Sequence, residues 1–176
     1  KFINNYGYFG LKLHPRLNKF NILDKKTIDL VNLAGDLNVP VIIDCFPDGN
    51  SIIENFNPTA FGKLANYCKN TNIIAAHMGG IYALEMMLIV KRCPNLYLNL
   101  AYSLLYFRNS SITADIIYCI NSLRGEKIFY GSDYPDRDLQ KSLDLSLIEF
   151  KKFNLSKDYL KKILYDNSYE FLDLYA

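Results

Sequence analysis

The sequence predicts an α/β fold on a parallel sheet, and three observations carry that expectation. Short apolar, β-favouring runs recur along the chain, with amphipathic helical stripes between them. Each run ends in a polar group: Phe9-Gly-Leu-Lys-Leu-His14, Val39-Pro-Val-Ile-Ile-Asp44, Ile73-Ile-Ala-Ala-His77 and Ile128-Phe-Tyr-Gly-Ser-Asp133. The spacing keeps one beat, with 30 residues from His14 to Asp44, 33 from Asp44 to His77, and 56 from His77 to Asp133. Strand and helix alternating at about 30 residues is the pattern of right-handed βαβ units. All four polar ends therefore emerge at the C-terminal edge of the sheet, where parallel α/β folds place their chemistry.

The elements follow in order. Tyr8 to Leu13 reads as the first strand, between Gly7 and Pro15. Residues 16–23 have too little periodicity for an element and are expected as loop. Asp24 is placed as the N-cap of a helix whose stripe is Ile28, Val31 and Leu33 to Leu37. Val39 to Ile43 is continuously apolar, as expected of a strand covered on both faces. A polar loop over 47–57 leads to Pro58, well placed in a first helical turn, and to a face of Phe61, Leu64, Ala65 and Cys68. Ile73 to Ala76 is the third strand, and a helix is predicted from Ile81 to Arg92, ended by Pro94. Its Met86-Met87-Leu88 stripe reads as core. Asn95 to Leu100 alternates as a fourth strand. Residues 103–111 are expected as loop with some helix, and Thr113 to Leu123 as helix with Gly125 near its cap. Ile128 to Tyr130 is the fifth strand. Helices over 139–153, over 157–165 after the cap Ser156, and over 168–174 close the chain.

Composition bounds the function. At 176 residues, half of them hydrophobic and 22% charged, the chain has a globular composition and the length of one domain. Net charge is +2 and Lys/Arg form only isolated pairs, which argues against a nucleic-acid partner. The longest apolar run, Ala83 to Val90, is interrupted by Glu85, so no membrane association is expected. Cys45, Cys68, Cys93 and Cys119 have neither zinc-finger nor disulfide-scaffold spacing. Reduced thiols and a cytoplasmic location are the expectation. The chain begins with Lys1 rather than Met, which is read as part of a longer polypeptide.

Five units do not close an eight-unit barrel, which takes about 250 residues. The residues alone leave two architectures open: five units of a barrel, or an open sheet. His and Asp gathered at one mouth are ligand types suited to Zn²⁺ or a similar divalent ion. Such an ion would activate water and polarise a carbonyl. His77, before Gly79-Gly80, could otherwise cap the next helix, and Asp133 could otherwise serve an Asx-turn. Lys12 lies two residues before His14 and shares its face. Arg137 and Arg16 are candidates for holding a substrate carboxylate.

Gly-Leu-Lys-Leu-His-Pro (10–15), Val-Pro-Val-Ile-Ile (39–43), Ala-His-Met-Gly-Gly (76–80), Pro-Asn-Leu-Tyr-Leu-Asn (94–99), Phe-Tyr-Gly-Ser-Asp-Tyr-Pro (129–135) and Ile-Leu-Tyr-Asp-Asn (163–167) occur in that order. The ordered set resembles the amidohydrolase-related family of metal-dependent hydrolases and decarboxylases, over nearly the whole chain. The resemblance implies a TIM-type (β/α) barrel, here one partial domain over 1–176 holding strands four to eight of eight plus the C-terminal helices. It implies His77 as catalytic base or ligand, Asp133 as metal ligand and proton acceptor, and Asn167 as a structural residue. The expected metal ligands are Asp133, His77 and Asp44, with His14, Lys12 and Arg137 holding an anionic small molecule. The expected cofactor is a divalent ion, Zn²⁺ first. Asp44 stands where the family usually has histidine, which shifts preference towards Mn²⁺ or Mg²⁺. No part of the chain matches the family's first-strand His-x-His. The expected activity is hydrolysis of an amide, lactone or similar bond, or a related decarboxylation. The rivals are a non-catalytic relative serving binding or assembly, and an open-sheet binding module. The expected state is a homo-oligomer or a chain lacking an N-terminal segment.

Overall fold

A computed structural model describes residues 5, 7–49 and 57–175. Five parallel strands form one sheet in sequential order: β1 (Leu11–Leu13), β2 (Val41–Asp44), β3 (Ile73–Ala76), β4 (Leu96–Asn99) and β5 (Ile128–Phe129). A doubly wound open sheet reverses strand order at a switch point, and this one does not. The sheet is an arc of a TIM-type barrel, five of its eight units.

The registers pair Lys12 with Ile42, Ile42 with Ile74, and Asp44 with Ala76. Side chains alternate across a strand, so Lys12, Ile42 and Asp44 share the inner face. Val41, Ile43, Ile73, Ala75, Leu96, Leu98 and Ile128 take the other face and form the main core with the helices. Full burial of each Leu, Ile or Val contributes about 2 kcal/mol. On the inner face Ile74 and Phe129 pack with Phe171, joined by Ile42, Tyr97 and Tyr175.

Between β1 and β2 lie α1 (Pro15–Asn18) and α2 (Lys25–Asp36). The turn α1 replaces the expected loop. Pro15 presets its first residue, and Nδ1 of His14 accepts the Leu17 N–H at 3.4 Å. Asp24 does sit at the N-cap of α2, but its side chain makes no capping bond there and accepts from Asn21 N instead. The predicted first strand shrinks to three residues; Tyr8 and Phe9 are exposed. The polar loop at 47–57 lies largely outside the described residues.

Helix α3 (Thr59–Tyr67) buries Ala60, Phe61, Leu64 and Ala65 as the stripe predicts. After β3 the chain makes a 3₁₀ segment, His77–Tyr82, before α4 (Ala83–Val90), so the regular helix starts later than Ile81. Then come α5 (Ser103–Tyr106) and α6 (Ser111–Ser122), the latter capped by Ser110. After β5, α7 (Leu139–Lys152) is capped by Asp138. The two last predicted helices are one run: α8 (Lys157–Lys161), a π turn (Lys162–Asp166) and α9 (Asn167–Asp173). The Ile163 carbonyl, in the π turn, accepts from Tyr130 N at 3.0 Å. Nδ2 of Asn167 donates to the carbonyls of Gly125 and Ile128, both at 2.7 Å. Asn167 thus ties α9 to the start of β5.

Candidate functional site

The ends of the strands meet around one cavity of about 420 Å³, and Lys12, His14, Asp44, His77 and Asp133 all line it. Arg16, Asp48, Asp136, Phe46, Tyr102 and Tyr106 complete its wall. The topology gathers these groups because parallel strands end on one side.

Asp44 is at the centre and is buried. Its Oδ2 lies 2.8 Å from Nε2 of His77 and 3.4 Å from Nε2 of His14; its Oδ1 lies 3.9 Å from Nε of Arg16. Arg16 also pairs with Asp48 at 2.6 Å. Burial alone would raise the Asp44 carboxyl. The hydrogen bond from His77 and the charges of His77, His14 and Arg16 outweigh that, and its pKa is lowered. Burial holds His14 below its ordinary value, against the pull of Asp44 and with help from Arg16, Lys12 and His77. Its Nδ1 accepts from Leu17 N, so Nε2 is the nitrogen that carries a proton towards Asp44.

His77 is also buried, and its Nδ1 lies 2.8 Å from the Ala101 carbonyl. A carbonyl only accepts, so Nδ1 carries a proton and Nε2 points at Asp44. The backbone places the ring: His77 has φ 67°, followed by Met78 at 52°, Gly79 at 75° and Gly80 at 55°. A side chain on Gly80 would meet Pro47 at 2.6 Å, so this glycine lets the β2 and β3 loops close together.

Asp133 also has a left-handed backbone, φ 67°, which turns it back over the mouth after β5. Gly131 precedes it, and a side chain there would meet Asn99 Oδ1 at 2.8 Å. This glycine lets the ends of β4 and β5 approach closely. Arg137 is not among the cavity's wall residues. Its guanidinium stacks on Tyr102, 4.5 Å from the ring centre. Cys45 is fully buried with its pKa raised by burial, and is chemically quiet.

Sequence reasoning singles out neither Asp136 nor the Ala101 carbonyl. A backbone acceptor leaves no side-chain signal. The ring of Phe46, in the loop after β2, is edge-on to His77, Tyr102 and Tyr106.

The donor types suit a divalent ion, but the arrangement does not. The Asp44 carboxylate faces two imidazoles and a guanidinium, and both His77 nitrogens face acceptors. Among the described residues no group of three or more His, Cys, Asp or Glu is placed to hold a metal ion. Also among them, no helix is long and apolar enough to cross a membrane.

A TIM-type barrel arc with a His–Asp pair at its C-terminal edge defines the class. The chain belongs to the amidohydrolase family: the family model described as Amidohydrolase matches residues 1–174. No curated protein matches it. An uncharacterized TIM-barrel protein from Bordetella bronchiseptica superposes with TM-score 0.80 at 22% identity, covering 98% of this chain and 59% of that one. A provisionally assigned amidohydrolase from Staphylococcus aureus gives 0.62 at 15% identity, over 98% of this chain and 67% of that one. An amidohydrolase from Burkholderia multivorans with bound Zn gives 0.58 at 12% identity, over 84% and 57%. These likenesses show the fold, and the chain spans less than two thirds of the Bordetella protein.

Proposed function

We propose that this chain forms the catalytic rim of a hydrolase acting on a C–N or C–O bond, an amide, lactone or similar, of a small anionic substrate. The observation that carries this reading is the buried His77–Asp44 pair, 2.8 Å apart, in the wall of the cavity at the strand ends. A histidine hydrogen-bonded to a carboxylate is a group suited to general acid–base work. In this reading the proton shared by His77 Nε2 and Asp44 Oδ2 is the one passed to or from the reacting bond, with the Ala101 carbonyl holding the His77 ring. Asp133, on the same wall, accepts a proton from attacking water. Lys12, His14 and Arg16 form the cationic side that binds the substrate anion, with Arg137 steering from behind Tyr102. The family's divalent ion, Zn²⁺ or else Mn²⁺ or Mg²⁺, would have to draw on Asp44, His77 and Asp133. The described residues do not fit it, and no step here is routed through it. Decarboxylation of a small acid is the sub-option at the same site.

A second reading, a non-catalytic relative serving binding or assembly, is favoured by Asp44 standing where the resemblance places histidine. In either case β1 and β5 end the sheet among the described residues, and such edges favour pairing with another copy. The test is hydrolysis of a panel of small carboxylated amides and lactones, followed by proton release. Turnover that falls about a hundredfold in His77→Asn supports the hydrolase. Binding of panel members without turnover supports the second reading, and turnover unchanged in His77→Asn removes the first.

A further inference from the structure

The loop after β4 contains a backbone feature that proton transfer at His77 does not by itself require. Tyr102 has φ 66° and ψ −53°, and the Ser103 N–H donates to the Ala101 carbonyl at 2.7 Å. Together these make a γ-turn of the rare hand, with positive φ at a residue that carries a side chain. Such a conformation persists only where its surroundings over-determine it.

Here they do. Asn99 Oδ1 accepts from Ala101 N at 2.7 Å on the entry side. On the exit side, fully buried Ser103 donates its hydroxyl to the His77 carbonyl at 2.5 Å. The Ala101 carbonyl, pushed outward by the turn, receives both the Ser103 N–H and His77 Nδ1. A carbonyl has two lone pairs, and both are engaged. His77 is therefore gripped at its own backbone by Ser103 and at its ring by Ala101. The Tyr102 ring closes the arrangement, edge-on to His77 at 6.1 Å and to Phe46 at 5.0 Å.

We propose that the Ala101–Tyr102–Ser103 γ-turn is the positioning device for His77, with Ser103 as the positioning residue that couples the two loops. The turn fixes a proton on Nδ1 and so leaves Nε2 as the nitrogen aimed at Asp44 and the cavity. This inference rests on backbone geometry and holds whether or not the protein turns out to be a hydrolase.

The test needs no substrate. The chain has two histidines, so ¹⁵N-histidine labelling of the full chain gives two ring systems to follow by NMR. In the wild type the His77 Nδ1 proton is expected to be present and protected from exchange. Ser103→Ala is expected to speed its exchange by about tenfold or more, the loss of one hydrogen bond's support, with the His14 signals unchanged. A serine that only fills its own site would lower Tm and leave that proton protected, which overturns the proposal. A wild-type ring with no proton on Nδ1 overturns it as well. Should Ser103→Ala not fold, Tyr102 decides. Tyr102→Gly accepts positive φ and should keep the protected proton, whereas Tyr102→Val resists that φ and should lose it. Protection in both Tyr102 variants overturns the proposal. An inactive protein that retains the protected proton would count against hydrolysis alone.

Discussion

Asp44 and His77 meet at 2.8 Å between the ends of adjacent strands, with both side chains nearly out of contact with solvent. The register that pairs Asp44 with Ala76 brings the carboxylate beside the residue that follows β3. Breaking a buried pair by removing one partner leaves the other uncompensated. Asp44→Asn is expected to lower unfolding free energy by about 3 kcal/mol, read from urea denaturation. A loss near zero would mean that the pair is solvated and the site built differently.

Acid should weaken the fold in two stages. His14 is held below its ordinary value of 6.5, so the unfolded chain binds its proton first. Its contribution is full above that value and is lost as pH falls through the lower, folded one. Asp44 is held below 3.8 in the same sense, so its contribution is intact above 3.8 and is lost on further acidification. Melting temperature against pH should therefore decline below about 6.5 and again below about 4, and His14→Gln should remove the first decline alone.

Glu149 of α7 is buried and accepts from Arg108, in the connection between α5 and α6, and from Lys152 at 2.8 Å. That places an α7 carboxylate behind the segment carrying Tyr106 and Phe107. Glu149→Ala should cost about 2 kcal/mol of stability and loosen the aromatic wall. Tyrosine fluorescence anisotropy or hydrogen exchange at 102–108 is the measurement, and unchanged exchange there would confine Glu149 to holding α7.

Asn167→Asp retains shape but loses both amide donors to Gly125 and Ile128. A loss of about 2 kcal/mol is expected, with the C-terminal run losing exchange protection before the rest of the fold.

Because Asp44 is already compensated by His77, His14 and Arg16, stripping divalent ions with a chelator should leave the melting temperature of this chain unchanged. Stoichiometric metal in protein purified without chelator, lost in Asp133→Ala, would show that the donors rearrange to hold an ion.

Much of this fold is legible in the sequence because periodicity reports burial. The run Val39 to Ile43 maps to a strand packed on both faces, and the stripe around Leu64 to one face of one helix. The rim residues are legible as well, since a polar group ending an apolar run must have a partner and the 30-residue beat places those ends together. What the residues do to one another is not legible. That His14 and His77 share one oxygen depends on distances of a few ångströms, and the carbonyl that holds His77 belongs to an alanine. Arg137, a candidate for holding a substrate carboxylate, has its guanidinium over the Tyr102 ring, a contact that its place in the sequence does not announce. Short α1 escaped notice because one turn has no period to detect.

His77 and Asp133 both adopt φ 67°. In that region glycine is at ease, and asparagine, aspartate and histidine are the side-chain-bearing residues that strain least. A library randomised at these positions and selected only for folding would return that handful, whatever reaction the protein performs. Survival of a residue type there reports what the main chain tolerates, and only a selection for turnover would separate chemistry from shape.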